Sequence, residues 1–131
     1  MPNNRKELSI YRMQRARQDF EAAKKLFDND NTHKASINRS YYAIFHAIRA
    51  LLALDGVDFK KHTAVISYFR REYIKTGKLD VGYSEIVGNA FNIRNSSDYE
   101  DFYIISKREV EEQIINADKF ISAVEDLLQL L

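Results

Sequence analysis

Apolar residues recur along this chain every three or four positions, and that spacing predicts helices throughout. Met13, Ala16, Phe20, Ala23 and Phe27 predict a first helix over about residues 8–28, with Arg12, Arg15, Gln18, Lys24 and Lys25 largely off the apolar row, as a solvated face. Asp28, Asn29, Asp30 and Asn31 stop it, and Thr32 is placed to cap the next helix. So short a turn returns the second helix antiparallel to the first. That second helix carries two adjacent apolar rows, Ile37, Tyr41, Ile44, Ile48 and Leu51 beside Tyr42, Phe45 and Leu52. Two rows cover most of a helix's circumference, which puts it at the centre of a bundle. It ends near Leu54, with Gly56 suited to a left-handed terminal position.

Asp58 reads as the cap of a third helix reaching Thr76, with Val65, Ile66, Phe69 and Tyr73 apolar. His62 lies one turn before Ile66 and so points inward or towards a neighbour. After a polar loop, a shorter helix is predicted over residues 83–93. Val87 and Phe91 form one of its rows, which Arg94 continues, and Ile86, Ala90 and Ile93 form another. Asn95, Ser96, Ser97 and Asp98 break that helix, and residues 99–105 read as a loop or short turn. Ser106 and Glu109 have capping-box spacing, and Val110, Ile114, Ala117, Ile121, Val124, Leu128 and Leu131 follow a strict four-three repeat. The expectation is one all-α domain over residues 1–131, an antiparallel up-and-down bundle of about five helices. The last repeat packs inside the bundle or across a homodimer.

The polar residues of the central helix form a stripe. Arg39, Tyr42, His46 and Arg49 are spaced three, four and three apart and stack on one face. Cations on so buried a helix need acceptors, either protein carboxylates or a bound anion. A second candidate group is Arg94 with Asp98 and Tyr99. Arg94 and Asp98 are an i,i+4 pair that can simply lock a helix end, or the arginine can hold an anion with the tyrosine ring free to stack on a base.

Composition narrows the chemistry. No cysteine is present, which excludes disulfides, thiolate zinc and a cysteine nucleophile, and fits a cytoplasmic protein. His33, His46 and His62 have no ligand-pair spacing, so no metal is expected, and no glycine-rich phosphate loop calls for a nucleotide cofactor. The N-terminal residues lack the apolar core of a signal peptide, and the apolar run of the central helix is interrupted by His46 and Arg49, too short for a membrane span. A net charge of +1 excludes a chain dominated by phosphate binding but leaves room for a local basic patch.

Arg39-Ser-Tyr-Tyr-Ala-Ile-Phe-His-Ala47, then Lys61-His62, then Tyr73-Ile-Lys-Thr-Gly77, then Arg94 followed by Asp98-Tyr99, together resemble the HEPN domain over nearly the whole chain. The resemblance implies a small helical bundle, often dimeric. In many members it is encoded beside a minimal nucleotidyltransferase as a toxin-antitoxin pair; others bind nucleotides or RNA as accessory modules. Catalytic members are metal-independent ribonucleases whose motif is an arginine, four to six residues, then a histidine. Arg94 and Asn95 match the start of that motif, but the histidine falls at Tyr99, Glu100 or Asp101, none of which is histidine. Tyrosine titrates too high and aspartate too low to replace it. In some toxins a tyrosine two residues beyond that histidine is modified; with the register set by Tyr99 that position is not tyrosine, and Tyr103 is out of step.

The chain therefore reads as a nucleotide- or RNA-binding accessory protein with a degenerate ribonuclease motif, partnered with a nucleotidyltransferase. The binding set is Arg39, Tyr42, His46, Arg49, Arg94, Asp98 and Tyr99. Two alternatives stand beside it. One is an active ribonuclease drawing on Arg94, His46 and His62, or on Arg39 with His46, which match the motif spacing on another helix. The other is a structural, oligomeric helper with no ligand.

Overall fold

The computed structural model describes residues 3–100 and 103–130. Five helices account for most of them. They are α1 (Asn3–Phe27), α2 (His33–Asp55), α3 (His62–Phe69), α4 (Val81–Tyr99) and α5 (Lys107–Leu130). A single 3-10 turn, Asp30–Thr32, joins α1 to α2, and α3 runs on into a wider, π-helical turn, Arg70–Ile74. Among the described residues there is no strand.

Side-chain pairings fix the direction of each helix. Arg12 reaches Arg49, Asp19 reaches Arg39, and Ser36 donates to the carbonyl of Ala23, so α2 runs antiparallel to α1. Arg17 binds Asp118 and Glu125, while Lys24 and Phe27 share a surface cleft with Lys107 and Glu111, so α5 also opposes α1. Tyr83 and Phe120 meet edge to face, and α4 ends close in sequence to where α5 begins, which makes these two antiparallel. The expected up-and-down bundle is thus four long helices, with α3 and its π turn bridging α2 to α4.

The central position of α2 follows from its two apolar rows. Ile44, Ile48, Leu51 and Leu52 are essentially without exposed surface. Ala16 and Ala23 of α1 and Ala43, Ala47 and Ala50 of α2 are fully buried, and such small side chains let helix axes approach closely. The strict repeat of α5 is absorbed here too. Val110, Ala117, Ile121 and Val124 are fully buried along with Phe120, so this row packs within the bundle and leaves little for a second copy. Leu131, the last member of the repeat, lies outside the described residues.

Several boundaries differ from the sequence reading. Helix α1 starts at Asn3, ahead of its apolar row. Asp58 does not cap α3, whose N-cap position is Lys61 with no side-chain cap bond; its carboxylate turns instead to Arg49 and to its neighbour's N–H at Phe59. Helix α4 opens on a cap that the sequence reading left inside a loop, with Asp80 accepting from the N–H of Gly82. It then continues through Asn95–Asp98 to Tyr99, where a break was expected. Ser97 is buried there, and the i,i+4 contact of Arg94 with Asp98 supports the extra turn. Thr32 makes no cap bond; its hydroxyl donates back to the carbonyls of Leu26 and Asn29. The Ser106–Glu109 capping box forms with both reciprocal bonds. Gly56 adopts φ +74°, the left-handed conformation expected of it.

Candidate functional site

The candidate residues lie along the middle of α2, from Arg39 to Arg49, and the start of α3 and the end of α4 meet it at Tyr41. Tyr41, on the inner row of α2, is almost fully buried, and its hydroxyl lies 2.7 Å from Nδ1 of His62 at the start of α3. Among the described residues no other hydrogen bond reaches that hydroxyl, and which of the two groups donates follows the tautomer of His62. The His62 ring stacks on Phe45 at 4.1 Å between centroids. Burial pushes its pKa below the ordinary histidine value, and the positive charges of Arg94 and Arg49 push the same way. His62 is therefore a neutral imidazole near pH 7. Burial also raises the pKa of Tyr41, against the pull of Arg94, so the hydroxyl keeps its proton.

Arg94, on the last turns of α4, spreads its guanidinium over two rings, 5.3 Å from the centroid of Tyr41 and 5.6 Å from that of Tyr42. Arg39 lies over Tyr42 as well, at 5.1 Å. Two cations thus share the ring of Tyr42, a contact that does not neutralise their charge. Arg94 Nε approaches Asp98 to 3.0 Å, yet the approach is off the N–H direction and this buried nitrogen has no hydrogen bond. The ion pair read from the sequence exists and is a poor one, and Nη1 makes only a long bond, 3.5 Å, to Oδ1 of Asn95.

The acceptors for the central stripe are carboxylates from elsewhere in the chain. Asp19, buried in α1, receives a bond from Arg39 at 2.9 Å and faces His46 at 3.4 Å, too far off axis for a hydrogen bond. Burial lowers the pKa of His46, opposed by Asp19 and reinforced by Arg15, Arg49 and Arg39. Arg49 bonds Asp58 at 2.9 Å, and Arg12 bonds the same carboxylate at 3.3 Å and the carbonyl of Arg49 at 2.9 Å. Arg12 is therefore a buried cross-link and not part of a solvated face, because its position on α1 meets the end of α2. The stripe divides accordingly: Arg39 and Tyr42 join Arg94, whereas His46 turns to α1 and Arg49 to the α2–α3 loop.

Sequence reasoning missed Asp19, Asp58 as a partner, and the bond from Tyr41 to His62. A signal for Asp19 was present, since Arg12 and Asp19 lie seven apart, beside the apolar row of α1. Tyr99 stands at the shortest motif spacing after Arg94 and is 75% exposed. Glu100 follows it on the surface, while Asp101 lies outside the described residues. Tyr103 is tied to Glu109 of the capping box by its hydroxyl. Among the described residues no three His, Asp or Glu side chains converge as metal ligands, and no helix is long and apolar enough to cross a membrane.

The arrangement offers two guanidiniums, Arg39 bonded to Asp19 and Asn38 and Arg94 bonded only weakly to Asn95, with a neutral imidazole and exposed aromatic surface, a set suited to a phosphate and a base. A profile of the HEPN domain matches residues 10–127. A UPF0332 protein of Thermotoga maritima is 34% identical over 97% of this chain and 96% of its own length. Two Methanocaldococcus jannaschii proteins are provisionally named toxins. One is 34% identical over 76% of this chain and 67% of its own length, the other 32% identical over 87% and 84%.

Proposed function

The chain belongs to the HEPN domain family, and from that premise we propose that it is the nucleotide- or RNA-binding member of a toxin-antitoxin-type pair, acting beside a minimal nucleotidyltransferase and not as a ribonuclease. One observation carries this reading. Arg94 is held between the rings of Tyr41 and Tyr42, while an exposed tyrosine, Tyr99, stands where a catalytic member has its histidine. A held guanidinium binds phosphate through charge-assisted hydrogen bonds. A tyrosine at that position stacks on a base but does not shuttle protons near neutral pH. The names of the two archaeal relatives support the toxin-like part.

A homodimer belongs to the same reading. Its support is the exposed apolar side chains of Tyr99, at the end of α4, and Ile104, in the connection to α5, since the repeat of α5 is spent inside the bundle. Sedimentation at tens of micromolar tests it, and a monomer there counts against it.

A second reading has its own observation. His62 and Arg94 meet on the same tyrosine, and the tautomer in which Nδ1–H donates to Tyr41 leaves Nε2 free beside a cation to act as a general base towards a 2′-hydroxyl. Purified protein with labelled single-stranded RNA and chelator decides between them. Binding without cleavage is expected; cleavage that disappears in His62→Ala overturns the accessory reading and makes the protein a ribonuclease.

A further inference from the structure

The loop between α2 and α3 brings Phe59, Lys60, Lys61 and His62 beside Arg49, and a cleft of about 530 Å³ opens there, lined by Phe45, Arg49, Asp58, Phe59, Lys60 and His62. We propose that this cleft is a second nucleotide subsite, so that a single RNA strand runs from Arg94 across His62 to Phe59. The inference rests on the RNA-binding reading above and extends it to residues outside the motif.

Three observations support it. First, the cleft is cationic. Its one carboxylate, Asp58, is already engaged by Arg49 at 2.9 Å, by Arg12 at 3.3 Å and by the N–H of Phe59 at 2.9 Å. Although burial works to raise it, these contacts hold the Asp58 carboxyl below its ordinary value, so it is ionised and matched by arginine charge. Lys60 then stands as unmatched positive charge at the rim, where it can meet a phosphate.

Second, the walls are aromatic. Phe59 is 39% exposed although large and apolar, and Tyr68 supports its ring at 5.7 Å. An exposed ring backed by another ring keeps its outer face available at little ordering cost, which is what stacking on an unpaired base requires. Third, His62 belongs to both places. Its Nδ1 is bound to Tyr41, over which Arg94 lies, while the same residue lines the cleft with Arg49 and Lys60. The two cation–aromatic groups are therefore neighbours on one surface. A ligand that fills both must be longer than one nucleotide and must expose its bases, which selects single strands over duplex.

Fluorescence anisotropy with a labelled ten-nucleotide single-stranded RNA, AMP and inorganic polyphosphate tests the inference. Phe59→Ala is expected to weaken the RNA about tenfold, in the range of one lost base–aromatic stack. It should leave polyphosphate, which has no base, unchanged. Phe59→Trp restores the RNA affinity, and because Phe59 is a surface residue the melting curves of both variants should overlay the parent. Lys60→Ala should reduce the slope of log affinity against log salt by about 0.7, one phosphate on a single strand. The RNA should bind far more tightly than AMP, since two linked subsites reinforce each other.

If Arg94→Ala weakens RNA binding while Phe59→Ala and Lys60→Ala do not, the second subsite is wrong and the Arg94 site survives. Equal affinities for AMP and RNA also overturn the spanning strand. Absence of RNA binding by the parent protein overturns both readings together.

Discussion

Replacing Arg94 by alanine separates a binding role from a structural one, because the structure bounds what the side chain contributes to folding. Its guanidinium sits over two tyrosine rings, and a partly exposed cation–π contact is worth about 0.5–1 kcal/mol each. The i,i+4 contact with Asp98 adds about 0.3–0.5 kcal/mol. Against these stands the buried Nε with no hydrogen bond, whose desolvation the alanine relieves. The net loss is at most about 1.5 kcal/mol, which in a chain of this size lowers the melting temperature by no more than about 5 °C. A phosphate held by the same guanidinium loses charge-assisted hydrogen bonds worth about 1.5–3 kcal/mol, or about 10- to 100-fold in affinity. Arg94→Lys keeps the charge and loses the flat face and the fork, so it should recover only part of the affinity. Circular dichroism melts and filter binding of single-stranded RNA on the three proteins give both quantities. A melting temperature lower by up to about 5 °C with unchanged RNA affinity would refute the binding role and leave Arg94 as a strut between α4 and α2.

Other perturbations test the same geometry. Asp55 accepts hydroxyl bonds from Tyr73 at 2.8 Å and Tyr68 at 3.0 Å, so Asp55→Ala orphans a buried tyrosine hydroxyl and should cost about 1–3 kcal/mol in urea unfolding. In the parent that contact and burial hold the Tyr68 pKa at about 12, and Asp55→Ala should bring it down in a spectrophotometric titration. Gly56→Ala places a side chain at φ +74° and against the guanidinium of Arg5; the flexible arginine can move, and the backbone strain leaves a loss of about 1 kcal/mol, measured by the same unfolding. Burial lowers the pKa of both His46 and His62, so as pH falls below about 6.5 the unfolded chain takes up these protons first. Stability that is full above this range should be lost on acidification, and the double variant His46→Asn with His62→Asn should lose less between about pH 7.5 and pH 5.5 than the parent.

The helices were legible where their apolar rows were long. Ile37 to Leu52 and Val110 to Leu128 identified α2 and α5 because burial on these helices follows a simple period. The end of α4 was not legible, since Asn95, Ser96 and Ser97 have weak helix propensity and only the tertiary setting of Arg94 and Ser97 keeps the helix going. Of the site, the stripe on α2 and the inward turn of His62 could be read from spacing within one helix. Which carboxylate answers which cation could not, because Asp19 and Asp58 meet Arg39 and Arg49 from other parts of the chain. The same limit hid Arg12, whose burial is set by the end of α2 and not by anything on α1.

The wide turn at Arg70–Ile74 sets the helical phase of the residues beyond it. In a regular α-helix, residues five apart are separated by about 140° around the axis. Tyr68 and Tyr73 are five apart, yet both hydroxyls reach the single carboxylate of Asp55. The turn that allows this is closed by a bond from the N–H of Lys75 to the carbonyl of Arg70, also five apart, and so it accommodates one residue more than an α-turn would. That residue acts as a built-in insertion. Deleting one position between Arg70 and Glu72 would let an ordinary α-turn close the same span, with the Lys75 N–H then four positions beyond Arg70 and the downstream residues kept in phase. Winding the same residues as a regular α-helix with no deletion would instead set Tyr68 and Tyr73 about 140° apart and take one of their hydroxyls away from Asp55.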